Sequence, residues 1–154
     1  ARKALEANPN EIEYGYRAGL MLFQLGRADE ALPYFNTVVQ FRPAHEGAVF
    51  NLGRTLQILC RVEEGQRYID SIPQIRDLHQ KAMLAEQQVQ TYPENPDYWI
   101  ELAGYMIQMG FSDRAESALN AAIALKPDEL SLLSDLANLA FSRGDTTMAI
   151  ARYN

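Results

Sequence analysis

One cysteine, two histidines and no long apolar run make up the chemistry this chain is short of, and each shortage removes a class of protein. The single cysteine, Cys60, excludes an internal disulfide framework and a multi-cysteine metal site. It leaves the compartment open between cytoplasmic and periplasmic, for a chain expected to be soluble. No stretch approaches the roughly 18 apolar residues needed to cross a bilayer, so no membrane insertion is expected. No cluster of Lys or Arg is present, and 20 acidic side chains outweigh 14 basic ones for a net charge of −6. A protein that displaces phosphate counterions needs a basic face, so nucleic acid is not an expected partner. The nine glycines form neither a dinucleotide fingerprint nor a phosphate loop.

What the chain does have is helix-forming material. Hydrophobic residues make up 47% of it, too much for a disordered chain. Ala, Leu, Glu and Gln are plentiful while β-branched residues are few, which favours helix. The prolines then reveal a period. Pro9 and Pro43 stand 34 residues apart, as do Pro93 and Pro127, and the gap from Pro43 to Pro93 is 50, which is 16 more than the period. Columns of like residues accompany them. Gly26, Gly110 and Gly144 share one column, with Cys60 as its exception. Gly19, Gly53, Ala103 and Ala137 form a second, always small, and Ala31, Gly65, Ala115 and Ala149 a third. Phe35, Ile69, Leu119 and Tyr153 form a large apolar column four residues later.

A physical account of these columns is direct. Small residues in both helices of a hairpin let the axes approach to the short end of the usual spacing. Glycine between them suits a tight turn with positive φ. Proline after the second helix ends it. One such hairpin cannot bury its own apolar face, so stacked neighbours must complete the core.

The pattern resembles the tetratricopeptide repeat family, a helix–turn–helix unit, most closely in Trp99-x-x-Leu102-Ala103 followed by Gly110, Ala115, Leu119, Ala122 and Pro127. A second match runs through Leu136, Ala137, Gly144, Ala149 and Tyr153. The first full unit keeps Gly19, Gly26, Ala31, Phe35 and Pro43 but has Gly15 where the family favours Trp. The resemblance implies an all-α, right-handed superhelix (an α-α solenoid). Its expected divisions are 1–9, the end of a preceding repeat; 10–43, a repeat; 44–93, an irregular repeat; 94–127, a repeat; and 128–154, a truncated one. Ala1 to Asn8 read as the last turns of a second helix and Asn154 as a point inside another. The chain is therefore expected to be a piece of a longer array.

The irregular unit stays in register through Gly65, Tyr68, Ile69 and Ile72, until Pro73 interrupts it. Beyond it Ile75, Leu78, Ala82, Ala85 and Val89 recur at spacings of three and four, an amphipathic helix. Three helices over about 46–60, 62–72 and 73–91 are predicted, with Ser71 a cap near the last. Pro33 falls inside a second helix starting near Ala28 or Asp29, which predicts a mild kink or a late start.

Catalytic chemistry is not expected, nor is a cofactor or metal site. His45, after Pro43, reads as a surface residue, and His79 as a packing or surface residue on the extra helix. Cys60 reads as a buried or partly buried structural thiol, since no base or electropositive setting for a nucleophile can be named. Glu63-Glu64 and Asp128-Glu129 read as solvated helix starts, where acids favour the dipole.

The function implied by the resemblance is a scaffold for protein–protein interaction. In the family the first helix of each unit lines a concave face. Carried over, the lining residues are Glu13, Tyr16, Leu20 and Phe23; Phe50, Asn51, Arg54 and Gln57; Asp97, Ile100, Glu101 and Ile107; and Ser134, Asp135, Asn138 and Phe141. The expected partner is an apolar peptide or protein segment with some basic residues. Relatives that clamp the carboxylate tail of heat-shock chaperones use Lys, Arg and Asn there. Asn51 is compatible, but Tyr16, Asp97 and Glu101 stand where cations or amides are wanted, which disfavours such a tail. Tyr16, Phe23 and Phe50 could equally pack between helices. A self-associating array forming a homo-oligomer, or an accessory segment of a larger enzyme, are the alternative readings.

Overall fold

The structure, a computed structural model, describes residues 9–142. Among the described residues there are eight α-helices and no strand: α1 Pro9–Gln24, α2 Ala28–Phe41, α3 Glu46–Ile58, α4 Val62–Asp70, α5 Ile72–Thr91, α6 Pro96–Met109, α7 Ser112–Leu125 and α8 Leu130–Ser142. The expectations for Ala1 to Asn8 and for Gly144, Ala149, Tyr153 and Asn154 lie outside the described residues. The chain divides into two compact units, Ala1–His79 and Gln80–Asn154, and passes from one to the other within α5.

In the first unit α1 packs on α2, α2 on α3 and α3 on α4, and α1 also touches α3. Phe35 is the centre of the core. It is fully buried with Ala31, Leu52 and Leu56, and Tyr16, Leu20, Phe23 and Tyr68 close around them. Burying one such ring stabilises the fold by about 1.5–3 kcal/mol. A second cluster joins Ile12, Val38 and Ala48 where α2 meets α3.

The small columns mark where backbones cross. A Cβ added at Gly19 would lie 2.9 Å from the Phe35 ring. At Gly53 it would lie 2.7 Å from the carbonyl oxygen of Gly65, and a Cβ at Gly65 would in turn strike the Gly53 carbonyl. The α3–α4 crossing is thus glycine against glycine, with no side chain able to move aside.

The turns between paired helices repeat one geometry. Gly26 and Gly110 have φ of 74° and 80°, the left-handed region that costs glycine nothing. The glycine N–H donates to the carbonyl three residues back and the next N–H to the carbonyl five back, as in Gly26 to Phe23 and Arg27 to Leu22. This double bond to the last turn is the Schellman closure. Cys60 makes the same pair of bonds, to Gln57 and, through Arg61, to Leu56, at φ 62°. It is also exposed, so the expectation of a buried thiol is corrected. The column selects for backbone conformation, and a side chain in the left-handed cap position projects into solvent.

The extra segment forms the single helix α5, with Ile72, Ile75, Ala82, Ala85 and Val89 all buried. Between residues 46 and 91 the chain therefore folds as three helices. In the first unit Arg76 of α5 bonds Glu46 of α3; in the second Glu86 of α5 pairs with Arg114 of α7. Ser71 does not cap α5. Its hydroxyl donates to the Tyr68 carbonyl at 2.7 Å and finishes α4 instead. Nor does Pro33 delay its helix: α2 starts at Ala28 and runs through it. Pro33 is exposed, which leaves water to satisfy the carbonyl that loses its donor.

In the second unit α6 packs on α7 and α7 on α8. Leu102, Ala103, Met106, Met109, Ala115, Ala118, Leu119, Ala122, Leu132, Leu136, Ala137 and Leu139 are buried along these helices. Asn95 caps α6 by accepting from the Asp97 N–H at 3.0 Å, and Pro96 follows at the start of the helix, where its missing donor costs nothing.

This packing makes two stability predictions. Gly53→Ala should destabilise by about 1–3 kcal/mol or more, because the atom it meets is backbone; an unchanged urea midpoint would place the crossing elsewhere. The Cβ position at Gly26 meets nothing, so Gly26→Ala should cost about 1 kcal/mol from backbone strain alone, and Cys60→Gly should recover up to about the same. Thermal melts of the two variants should move in opposite directions.

Candidate functional site

Tyr16, Leu20 and Phe23 on α1 and Phe50, Asn51 and Arg54 on α3 belong to the first unit. The structure separates them into two kinds. Tyr16 is half-buried, its ring 4.5 Å from the His45 imidazole and 6.1 Å from Phe35. Its hydroxyl accepts from Asn51 Nδ2 at 3.3 Å, and the same amide donates to the Gly47 carbonyl at 2.7 Å. A Cβ on Gly47 would run into that hydroxyl, so the glycine leaves room for the tyrosine. Burial raises the phenol's pKa; the Asn51 hydrogen bond opposes this and the charge of Glu13 adds to it. Phe23 lies edge-on to Phe35 at 6.3 Å, and Leu20 packs on the same cluster. These three α1 residues close the joint between helices.

Phe50 and Arg54 differ. Phe50 is 40% exposed, and the Arg54 guanidinium lies over its ring at 5.9 Å. Among the described residues no carboxylate lies within ion-pair distance of Arg54. Ile58, one more helical turn along the same row, is 57% exposed. It was absent from the sequence candidates, although its spacing of four from Arg54 is the signal that finds it. Glu13 is spoken for, with Arg17 at 3.2 Å, and Gln57 donates to Gln66 at 3.1 Å.

The second unit holds Asp97, Ile100 and Glu101 on α6 and Asn138 on α8. Asp97 is exposed but paired with Lys126 Nζ at 2.9 Å. That hydrogen bond is the main reason the Lys126 ammonium titrates above its ordinary range. Glu101 accepts from the Tyr105 hydroxyl at 2.8 Å. Ile100 and Ser134 are half-buried, while Asp135, Asn138, Ile107 and Phe141 are exposed.

His45 corrects the expectation of a plain surface residue. It is half-buried at the start of α3, and its Nδ1 accepts from the Ala48 N–H at 3.1 Å, so the ring is a helix cap as well as a wall for Tyr16. Its place in the repeat is that of Asn95, 50 residues on, which caps α6. Among the described residues no group of three or more His, Cys, Asp and Glu could hold a metal ion, and no helix is long and apolar enough to cross a membrane.

Paired helices closed by the same turn and crossed at small residues define a helical-repeat protein, and the comparisons with known proteins say which kind. Residues 1–46 and 107–154, more than half of the chain, match the tetratricopeptide repeat family. Over 62 residues the chain is 34% identical to the uncharacterized protein MJ0572 of Methanocaldococcus jannaschii, covering 40% of this chain and 72% of that protein. This chain belongs to the tetratricopeptide repeat family. Among solved structures, the thermophilic tetratricopeptide protein TTC0263 of Thermus thermophilus is 22% identical, with 92% of this chain and 88% of that one covered and a TM-score of 0.48. MamA from Desulfovibrio magneticus RS-1 is 14% identical, with 96% and 93% covered and a TM-score of 0.45.

The division between joint and surface is measurable. Tyr16→Ala should destabilise by about 1–3 kcal/mol, whereas Phe50→Ala should cost less than about 1 kcal/mol. Equal shifts in chemical denaturation would put Phe50 in the core.

Proposed function

We propose that this chain is a protein-interaction scaffold that holds a segment of another protein against the first helices of its repeats, divided at 10–43, 44–93, 94–127 and 128–154. Membership of the tetratricopeptide family supports the class. The observation that carries the finer reading is the Phe50–Arg54–Ile58 row, an aromatic ring, an uncompensated guanidinium and an aliphatic side chain in line on one helix. Such a row recognises an apolar side chain flanked by a carboxylate. The partner suggested by sequence, apolar with basic residues, is revised accordingly. Two of the acids that favoured it are paired with cations, Glu13 with Arg17 and Asp97 with Lys126, while Glu101 accepts from the neutral Tyr105 hydroxyl and Asp135 is exposed. In the second unit the half-buried Ile100 and the exposed Ile107, Asp135, Asn138 and Phe141 are the candidates for contact with a ligand. No catalytic step is part of this reading.

Affinity for one peptide should be modest, because ordering a flexible ligand offsets much of the burial. Peptides selected from a random displayed library against the whole chain should share an aromatic or aliphatic residue with an acid within a few positions. Phe50→Ala and Arg54→Ala should each weaken them by about tenfold, about 1.4 kcal/mol, with the melt little changed. Selected peptides that bind the double variant as tightly as the parent would remove the row from the site.

A further inference from the structure

The turn from α5 to α6 carries side chains that the candidate surface does not use. From Ala82 to Asp113 the sequence holds Glu86, Glu94, Asp97, Glu101 and Asp113 and no Lys, Arg or His. Glu86 is answered by Arg114 and Asp97 by Lys126, and Glu101 accepts from the Tyr105 hydroxyl. Glu94 is exposed, and among the described residues its carboxylate has no hydrogen bond or ion pair. The Asn95 N–H donates to the Tyr92 carbonyl at 3.1 Å, which places Glu94 inside a four-residue turn that begins at Tyr92. Helices α5 and α6 flank this turn, and it lies far in sequence from either end of the described residues.

Tyr92 is 51% exposed, and its ring meets that of the half-buried Tyr98, with centroids 6.0 Å apart and planes inclined at 40°. Two other partly exposed rings, Phe50 and Phe111, each have an arginine three or four positions on lying over the face, at 5.9 and 5.8 Å. Among the described residues no cation covers Tyr92 or Tyr98. The repeat register shows the same omission. The residue before Pro43 is Arg42 and the residue before Pro127 is Lys126, but before Pro93 it is Tyr92. The last turn of α5, whose end carbonyls favour positive charge, holds no basic residue either.

We propose that this turn docks a basic segment of a partner protein, with an arginine side chain stacked on the tyrosine pair and its guanidinium turned to Glu94. A guanidinium is attracted by the face of an aromatic ring and forks onto a carboxylate, so one side chain satisfies both groups. The compact, strongly hydrated ammonium of lysine has no flat face to lay on a ring, which makes arginine the better match. A single anchor of this kind binds weakly by itself, because the ordering of the segment offsets much of the gain. The surface is distinct from the Phe50 row, which belongs to the first unit and presents a cation where this one presents an acid.

The test uses the whole chain and the peptide acetyl-Gly-Arg-Arg-Gly-amide, followed by nuclear magnetic resonance of the tyrosine rings. The signals of Tyr92 and Tyr98, assigned with Tyr92→Phe and Tyr98→Phe, should shift and saturate as peptide is added. The same peptide with citrulline for arginine, similar in shape but uncharged, should move them little. Glu94→Gln, at an exposed site with no bond to lose, should weaken binding about threefold, and Tyr92→Ala by as much or more. Glu63→Gln, which removes an exposed acid from α4, should leave it unchanged. Tyrosine signals that stay still throughout the titration overturn the proposal. So does equal binding of the citrulline peptide, or undiminished binding by Glu94→Gln. A loss with Glu63→Gln as large as with Glu94→Gln overturns it as well, because the attraction would then be to the net charge of the chain.

Discussion

The distance between paired helix axes governs the rest of this structure. At the α3–α4 crossing two glycine backbones meet, and at the α1–α2 crossing a glycine meets the Phe35 ring, so neither pair could close with one more carbon atom in the way. Close approach brings the large residue of the second helix into the cavity between neighbours, which is why Phe35 and Leu119 are buried in the same column. It also requires the chain to reverse within a few residues. The left-handed residue at Gly26, Cys60 and Gly110 does this, returning two N–H groups to the helix it ends.

With the core made this way, the charged residues are left to the surface. Arg27 grips Glu30 with two nitrogens at the start of α2, and Arg61 grips Glu64 identically at the start of α4, 34 residues on. In the α2 pair the shared hydrogen bonds lower the pKa of the Glu30 carboxyl and raise that of the Arg27 guanidinium. Exposed pairs of this kind add little stability each. Their larger effect is on recognition. An acidic chain in which Glu13 and Asp97 are matched by cations presents fewer free carboxylates to a ligand, and an arginine without a carboxylate, held over a ring on α3, becomes the more distinctive charge.

Two kinds of surface result. One is the Phe50 row, where the first helix of a repeat shows apolar and cationic groups in line. The other is the turn from α5 to α6, where Tyr92 stands in the column of Arg42 and Lys126 and packs on Tyr98. A repeat protein carries both for the same reason: stacking fixes the backbone of each unit, and positions outside the packed joints are free to differ from one repeat to the next.

From the sequence alone the period, the turn positions, the small columns and the all-α class were legible, because a 34-residue spacing of glycine, alanine and proline reports directly on backbone geometry. The amphipathic helix after Pro73 was legible too, since its apolar stripe is a periodicity and α5 buries that stripe. Side-chain fate was not. Tyr16 and Phe50 occupy one column, yet Tyr16 closes a joint and Phe50 faces water. The difference is made by Gly47, which leaves space for the tyrosine, and Asn51, which donates to its hydroxyl; Phe50 has no hydroxyl to place and is met by Arg54 of its own helix. Cys60 and His45 were misread for the same reason, as one serves by its backbone angle and the other by a ring nitrogen turned toward Ala48. Composition and spacing determine which helices form and where they cross. Which atoms remain free to meet a partner is decided by contacts between residues tens of positions apart, and only the packed chain brings those together.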